Sequence, residues 1–130
     1  MRKKNAGLTA ESVPVLKRAG HRSLRVPGSK SLTQRAIMLG AIGAGRTVLT
    51  EPLLCDDTKL LSEAMATLGV GVKWSSKKLI LHGMDGQFPR GGTVNLGAGG
   101  TPSRFMIAAG SLSPESVVVD GNGRMRQRPV

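Results

Sequence analysis

The sequence predicts an α/β fold in which helices alternate with short strands. Apolar residues recur at helical spacing between residues 31 and 44 and again between residues 56 and 68. Short runs rich in Val, Leu and Thr flank these segments, and glycines stand at their ends. The resulting order is strand, helix, strand, helix, strand, strand, a unit of about 65 residues that then begins a second time with little residue identity.

The first unit is expected to extend from residue 23 to residue 81. Its first helix, residues 31–44, carries apolar residues around much of its circumference, so burial on more than one side is expected. These apolar residues are Leu32, Ala36, Ile37, Leu39 and Ile42. The other expected elements are strands at residues 23–26 and 47–50, a helix at 56–68, and a hairpin formed by 70–74 and 78–81.

The second unit is expected to be incomplete. Its elements are a strand at residues 93–96, a helix at 101–109, a strand at 116–119 and the lead into a further helix at 124–129. A chain of 130 residues is long enough for one domain with an adequate core. Ending before an expected helix would leave apolar faces uncovered, so we expect the sequence to be a fragment of a longer protein.

The charge is strongly basic, with 19 Lys and Arg against 8 Asp and Glu, a net charge of +11. Part of this excess lies in residues 1–20, which are expected to form a flexible basic arm. Such a surplus indicates anionic partners, which are nucleic acid, phosphorylated metabolites or acidic surfaces. Nucleic acid is the less favoured partner, because one Trp, two Phe and no Tyr provide few stacking platforms.

The cysteine and histidine content argues against metal or disulfide chemistry. Cys55 is the only cysteine, and it is expected to be small and at least half-buried. His21 and His82 are too isolated to indicate zinc, so no metal and no cofactor are expected. A reducing, cytoplasmic location fits, since no secretory signal or membrane-spanning segment is recognisable in the sequence.

The segment from residue 27 to residue 35, Pro-Gly-Ser-Lys-Ser-Leu-Thr-Gln-Arg, predicts an anion site at a helix start. Ser29 or Ser31 can cap the helix, and its unpaired N–H groups favour an anion. Lys30, Ser31 and Arg35 add donors there, and Ser31 and Arg35, four residues apart, can face one ligand. The alternative is that Ser31 only caps and Arg35 is solvated. The spacing of glycine and lysine does not fit a Walker loop.

Two further segments combine glycine with arginine. Residues 96–104, Leu-Gly-Ala-Gly-Gly-Thr-Pro-Ser-Arg, predict a tight turn into a helix, either as a ligand site or only as a connection. Residues 124–129 alternate Arg with other residues, so Arg124, Arg126 and Arg128 would point the same way in an extended segment. A solvated basic loop is the alternative.

One pair of acids and one aromatic residue are given structural interpretations. Asp56 and Asp57 are interpreted as capping a helix start and stabilising its dipole, although paired catalytic acids remain an alternative. Trp74 is expected to anchor the hairpin.

Together these segments resemble the enolpyruvyl transferase family, and specifically its 5-enolpyruvylshikimate-3-phosphate synthases. Residues 27–35 are similar to the family segment Pro-Gly-Ser-Lys-Ser-x-x-x-Arg, and residues 96–104 to Leu-Gly-Asn-Ala-Gly-Thr-x-x-Arg-Pro. Residues 120–129 are similar to Asp-Gly-x-x-Arg-Met-Arg-x-Arg-Pro. Residues 47–49 and 56–57 match the intervening strand and helix start. The resemblance extends from about residue 24 to the end of the chain.

The resemblance implies a fold and a reaction. The implied fold is an inside-out α/β barrel domain built of repeats, here one full repeat and part of a second. Residues 21–29 would be a strand and hinge leading from another domain, and residues 30–130 a partial N-terminal domain. The implied reaction joins the 5-hydroxyl of shikimate 3-phosphate to C2 of phosphoenolpyruvate and releases phosphate, in a monomeric enzyme of aromatic amino-acid biosynthesis. The acid and base carboxylates would lie beyond Val130.

The resemblance also implies roles for single residues. Lys30, Ser31 and Arg35 would bind shikimate 3-phosphate. Lys30, Gly100 and Arg128 would bind phosphoenolpyruvate. Residues expected to lie beside these sites are Thr101, Arg104 and Arg124. The sequence departs from the family at Ala98, Gly99 and Phe105, next to the phosphoenolpyruvate pocket.

Three alternatives stay open. The related UDP-N-acetylglucosamine enolpyruvyl transferases carry a catalytic Cys where this chain has Gly123, which favours the shikimate enzyme. A small basic nucleic-acid-binding module would use the arm but would leave the three motifs unexplained. A catalytically inactive remnant, binding phosphorylated metabolites or pairing with a separate C-terminal chain, is the third.

Overall fold

The architecture comes from a computed structural model that describes residues 12–15 and 20–129. The predicted basic arm therefore falls mostly outside the described residues. The helices are α1 (Lys30–Ile42), α2 (Asp56–Thr67), α3 (Gly100–Ala109) and α4 (Gly123–Arg126), with a short 3₁₀ helix at Gly110–Leu112. The strands are β1 (Ala44–Thr50), β2 (Gly71–Ser75), β3 (Lys78–Met84), β4 (Gly92–Asn95) and β5 (Val117–Asp120). The predicted α/β fold is confirmed.

The described strands form two separate sheets. Strand β3 lies between β1 and β2 and is antiparallel to both, with Leu81 opposite Thr47 on β1 and Val72 on β2. The hairpin predicted for β2 and β3 is confirmed. Strands β4 and β5 are parallel, and Asn95 lies opposite Asp120 at the ends of both strands. The segments following these two ends, which carry the glycine and arginine motifs, therefore begin side by side.

The core lies between the helices and the three-stranded sheet. Helix α1 packs on β3, and α2 packs on α1, β2 and β4. Strand β3 contributes Leu79 and Leu81, both fully buried, with partly buried or exposed residues between and beyond them. Trp74 packs against this core, and its Nε1 donates to Ser62 Oγ at 2.9 Å, so its predicted anchoring role is confirmed. The free thiol of Cys55 is half-buried, as expected.

Helix α1 is buried on one side only, so the expectation of burial on more than one side is wrong. Ile37 and Ala41 are fully buried against the core, but Leu32 and Leu39 are 68% and 73% exposed. The sequence marks all four as apolar, but α2 and β3 cover only one face of the helix. Within residues 12–15 and 20–129 no element covers the other face.

The expectation of a strand at residues 23–26 is also wrong. Strands require a hydrogen-bonded neighbour, and this segment pairs with none of the described strands. Leu24 and Val26 are exposed, and the segment is tied to the sheet by an ion pair in which Arg25 Nη2 donates to both carboxylate oxygens of Glu51.

None of the helices in the described ranges combines the length and the apolar character needed to cross a bilayer.

Candidate functional site

The first element of the candidate site is the start of α1. The chain enters the helix at Ser29, whose Oγ accepts the N–H of Leu32 at 3.4 Å, so of the two predicted caps Ser29 is the one used. Lys30 is the first helical residue. Its Nζ donates to Asp57 Oδ2 at 3.0 Å, which ties the start of α1 to the first turn of α2.

The second element is the glycine-rich turn between β4 and α3. Gly97 has a φ of +59°, a conformation that glycine adopts without strain, and Asn95 Oδ1 accepts its N–H at 2.9 Å. A β-carbon on Gly99 would lie 2.5 Å from Cγ of Pro102, so the turn has no room for a side chain there. The turn delivers Gly100 as the first residue of α3, where backbone N–H groups lack helical acceptors.

The third element is the segment after β5, which forms the short helix α4. The N–H of Asn122 donates to the carbonyl of Gly97 at 2.9 Å, so this segment is bonded to the glycine-rich turn. Asn122 Oδ1 also caps α4 through the N–H of Met125 at 3.0 Å. The segment is therefore a capped helical turn, and the expectation that three arginines point the same way along an extended chain is wrong.

The three arginines of this segment have different surroundings. Arg126 donates two hydrogen bonds to the carboxylate of Asp120, at 2.8 and 2.7 Å. This pair, together with the N–H of Gly121, lowers the pKa of Asp120 from 3.8 to about 2. Arg128 approaches Gly100, whereas Arg124 is exposed and lines no part of the cleft described next.

These three elements enclose a cleft of about 250 Å³. It is lined by Lys30, Asp57, Ala98, Gly100, Thr101, Arg104 and Arg128. Three cationic side chains thus face one carboxylate, at the N-terminal end of α3. Such a site is suited to phosphate or carboxylate groups, because charged donors and helix N–H groups converge on it. Within residues 12–15 and 20–129 no group of three potential metal-ligating side chains is found.

The cleft brings together residues from all three sequence motifs. Of the predicted site residues, Lys30, Gly100 and Arg128 lie in it, as do Thr101 and Arg104. Ser31 and Arg35 do not line it.

Ser31 and Arg35 instead form their own contact on the exposed side of α1. Arg35 Nη1 donates to the hydroxyl of Ser31 and, at 3.0 Å, to its carbonyl. The guanidinium of Arg35 also lies 5.8 Å from the ring centre of Phe105. The two residues lie on one face of the helix, which their spacing predicted so that both could face one ligand, but this face is next to the cleft rather than inside it.

Asp57 is the cleft residue that the sequence analysis missed. It was interpreted as a helix cap, but the N-cap of α2 is Cys55, and the Asp57 carboxylate reaches Lys30 instead. Only the pairing of α1 with α2 reveals this contact, since the two residues are 27 positions apart. An acid in the first turn of a helix is common, so the sequence carries only a weak signal that Asp57 belongs to the cleft.

Three larger cavities lie elsewhere among the described residues, so size alone does not identify the site. One, of about 420 Å³, lies between the segment at residues 25–28 and the β2–β3 turn. Another, of about 510 Å³, is an apolar groove between α1 and α3, bordered by Arg35 and Arg104. The third, of about 390 Å³, lies between the start of α1 and the end of β1 and has no cationic side chain in its lining. None of the three combines converging cationic side chains with a helix N-terminus.

Comparisons with known proteins agree on one family. The family model described as EPSP synthase (3-phosphoshikimate 1-carboxyvinyltransferase) matches residues 19–130. The 3-phosphoshikimate 1-carboxyvinyltransferase of Methanoculleus marisnigri is 40% identical over 106 residues, and that of Methanoregula boonei is 36% identical over 110 residues. These matches cover 80% and 83% of this chain.

A solved structure supports the same relationship at the level of the fold. The EPSP synthase from Acinetobacter baumannii superimposes with a TM-score of 0.74 at 28% identity, over 82% of this chain and 25% of the solved one. The chain likewise spans 25% and 26% of the length of the two curated relatives.

Proposed function

This chain belongs to the EPSP synthase family, and we propose from that membership that it contributes the N-terminal part of a 3-phosphoshikimate 1-carboxyvinyltransferase. Such an enzyme transfers the enolpyruvyl group of phosphoenolpyruvate to the 5-hydroxyl of shikimate 3-phosphate and releases phosphate. The observation that carries the proposal is the convergence of Lys30, Gly100 and Arg128, from three separate motifs, on one cationic cleft.

Phosphoenolpyruvate is the ligand we assign to this cleft. It carries a phosphate and a carboxylate, and the cleft offers Lys30, Arg104 and Arg128 together with the N-terminal end of α3. The approach of Arg128 to Gly100 supports this assignment, because it concentrates a guanidinium and free backbone N–H groups at one place.

Shikimate 3-phosphate is assigned to the surface of α1 beside the cleft. Ser31 and Arg35 lie there within hydrogen-bond contact of each other, and Lys30, which lines the cleft, directly precedes Ser31 in the helix. Lys30 would then touch both substrates.

The reaction places demands on these residues. C3 of phosphoenolpyruvate gains a proton, the 5-hydroxyl oxygen bonds to C2 and loses its proton, and phosphate then leaves C2 of the tetrahedral intermediate as a proton returns from C3. The phosphate and carboxylate groups of phosphoenolpyruvate are anionic throughout, so fixed cations hold the substrate in place, and they stabilise the charge that grows on the phosphate as it leaves. Among the described residues, the only carboxylate in the cleft is Asp57, which is bonded to Lys30. We therefore assign the proton transfers to groups outside this chain.

The domain division belongs to the same proposal. Residues 1–20 would form the basic arm, residues 21–29 a hinge to another domain, and residues 30–130 part of an inside-out α/β barrel domain. The order α1, β1, α2, β2, β3 followed by β4, α3, β5, α4 supports a repeat that starts again. We also propose a monomeric, cytoplasmic enzyme.

Two of the alternatives, the sugar-nucleotide transferase and the nucleic-acid-binding module, are not favoured. The matching family model describes EPSP synthases, and both curated relatives are named 3-phosphoshikimate 1-carboxyvinyltransferase. In addition, Gly123 stands where a sugar-nucleotide enolpyruvyl transferase would need its Cys. A nucleic-acid-binding module leaves the enclosed cleft without a role.

A chimera tests the activity directly. In it, this chain replaces the matched N-terminal part of the Methanoculleus marisnigri relative. We expect the chimera to release phosphate from phosphoenolpyruvate only when shikimate 3-phosphate is present, and to restore growth without aromatic amino acids to cells that lack this activity. The 130-residue chain alone is expected to release none. A folded but inactive chimera, or turnover by the chain alone, would contradict the proposal.

Ligand binding tests the site in the chain itself. Phosphoenolpyruvate is titrated into the 130-residue chain at low ionic strength, and binding is followed by ³¹P NMR. Arg128→Ala should weaken binding, whereas the control Arg46→Ala, which removes the same charge from an exposed position of β1, should not. Equal loss in both variants would indicate nonspecific attraction.

A further inference from the structure

The carboxylate of Asp57 lies in the cleft without an assigned role. Its Oδ2 accepts the Lys30 Nζ donor at 3.0 Å and lies 3.5 Å from Nε2 of Gln34. Gln34 is 1% exposed, so its amide is held by the packing of α1. Asp57 is thus placed between a fixed amide and a long, flexible lysine.

Capping of α2 does not account for Asp57. The N–H of Cys55, the N-cap, donates to Thr58 Oγ1 at 3.0 Å, and the hydroxyl of Thr58 donates to the carbonyl of Leu53 at 2.8 Å. Asp56, the neighbouring acid, is exposed in the same first turn and can interact with the helix dipole equally well. The hydrogen bonds found for the Asp57 carboxylate within the described residues come from side chains.

Ligand affinity through charge does not account for it either. A carboxylate in an anion site reduces the net positive charge and repels the ligand. Its benefit must then come from what it does to Lys30. An ammonium group has three N–H donors, and giving one to Asp57 fixes the directions available to the other two.

We propose that Asp57 is a positioning residue that holds the Lys30 ammonium against the cleft, so that its remaining N–H donors face bound phosphoenolpyruvate. The inference rests on the function proposed above. Without Asp57, the four-carbon stem of Lys30 would sample many rotamers, and ordering it would cost binding free energy.

The charge state of Lys30 gives a second readout. The hydrogen bond that Lys30 donates to the Asp57 carboxylate, and then the charge of that carboxylate, raise the pKa of the Lys30 ammonium above its usual value. The other titratable groups around it are Cys55 at the start of α2, and Arg104 and Arg128 across the cleft. Removing the Asp57 charge should therefore lower the pH at which Lys30 loses its proton.

The test uses three variants of the 130-residue chain. Asp57→Asn removes the charge, Asp57→Glu restores it on a longer side chain, and Asp56→Asn is the matched control in the same helical turn. Each variant is checked by circular dichroism. Labelling of Lys30 with acetic anhydride across pH, read by mass spectrometry, reports its deprotonation, and ³¹P NMR titration reports phosphoenolpyruvate affinity.

We expect Asp57→Asn to shift the labelling curve of Lys30 to lower pH and to weaken phosphoenolpyruvate binding roughly tenfold. Asp57→Glu should recover part of both effects, and Asp56→Asn should match the unsubstituted chain. Unchanged or tighter binding in a folded Asp57→Asn chain would overturn the inference and leave the proposed function standing. If Asp57→Asn does not fold, the test depends on Asp57→Glu alone. The inference is then overturned if Asp57→Glu binds phosphoenolpyruvate as tightly as the unsubstituted chain and the labelling curve of its Lys30 is unshifted. Absence of binding by the unsubstituted chain would overturn both.

Discussion

Gly100 and Arg128 face each other so closely that a β-carbon built on Gly100 would lie 3.0 Å from Nη1 of Arg128. The two residues are brought together by the bond from the Asn122 N–H to the Gly97 carbonyl, which joins the two loops that carry them. Gly100 does not have a positive φ, so the absence of a side chain matters for this approach and not for the backbone conformation.

Gly100→Ala should weaken phosphoenolpyruvate binding without destabilising the fold. The added methyl group displaces the guanidinium of Arg128 and crowds the cleft, so we expect KM for phosphoenolpyruvate in the chimera to rise roughly tenfold. The melting temperature should hold, since alanine is favourable in a helical turn. Gly123→Ala, also at the first position of a helix but with open space around it, is the control. A lowered melting temperature with unchanged KM would show that Gly100 is only a turn residue.

Lys30→Ala should be the most damaging single substitution in the chimera. Lys30 is the residue proposed to touch both substrates, and losing one preorganised charged donor costs about 100-fold or more in turnover. The measurement is kcat/KM for both substrates. Lys59→Ala, on the exposed face of α2, removes the same charge and should change kcat/KM little. Values for Lys30→Ala within a few-fold of the unsubstituted chimera would refute the assignment.

The Asp120–Arg126 pair predicts a loss of stability in acid. The folded-state pKa of Asp120 is lowered from 3.8 to about 2, so its contribution is fully present above the unfolded value and is lost as pH falls from 3.8 to about 2. Thermal melts of the chain and of Asp120→Asn should therefore differ at pH 7 and converge toward pH 2. ¹³C NMR titration of the Asp120 carboxyl checks the pKa itself, and an unshifted value would contradict the prediction.

Helix α1 should tolerate the replacement of its apolar side chains on its exposed side only. Ile37→Ala should destabilise the chain by about 2–5 kcal/mol, because it opens a cavity in the core. Leu39→Gln, on the exposed face, should change the free energy of unfolding by no more than about 0.5 kcal/mol. Urea denaturation measures both. Similar losses for the two variants would show that the Leu39 side is covered in solution.

Gly83→Ala should destabilise the chain by about 1–3 kcal/mol, because overpacking against backbone cannot be relieved by a side-chain movement. A β-carbon on Gly83, in β3, would collide with the carbonyl of Gly43 and lie 2.6 Å from that of Gly40. Urea denaturation gives the value, with Gly123→Ala again as the control. A change below about 0.5 kcal/mol would mean that α1 lies further from β3 than described.

Local signals predicted most of the elements correctly. The helical spacing of apolar residues, with two acids at its start, predicted α2 to within one residue of its observed end. The turn residues between β2 and β3 predicted the hairpin. Ser29 was foreseen as one of two possible caps. These features depend on residues a few positions apart, so the sequence displays them directly. The strand at residues 23–26 failed because a strand depends on a distant partner.

The sequence by itself determined the α/β class, the helix starts to within one residue of Lys30 and Gly100, and the cationic residues that the motifs carry. Tertiary structure alone decided that Asp57 pairs with Lys30 and that Leu39 stays exposed. The physical reason is distance along the chain. Capping and periodicity act within a few residues, whereas each of these outcomes depends on where packing places a different helix or loop.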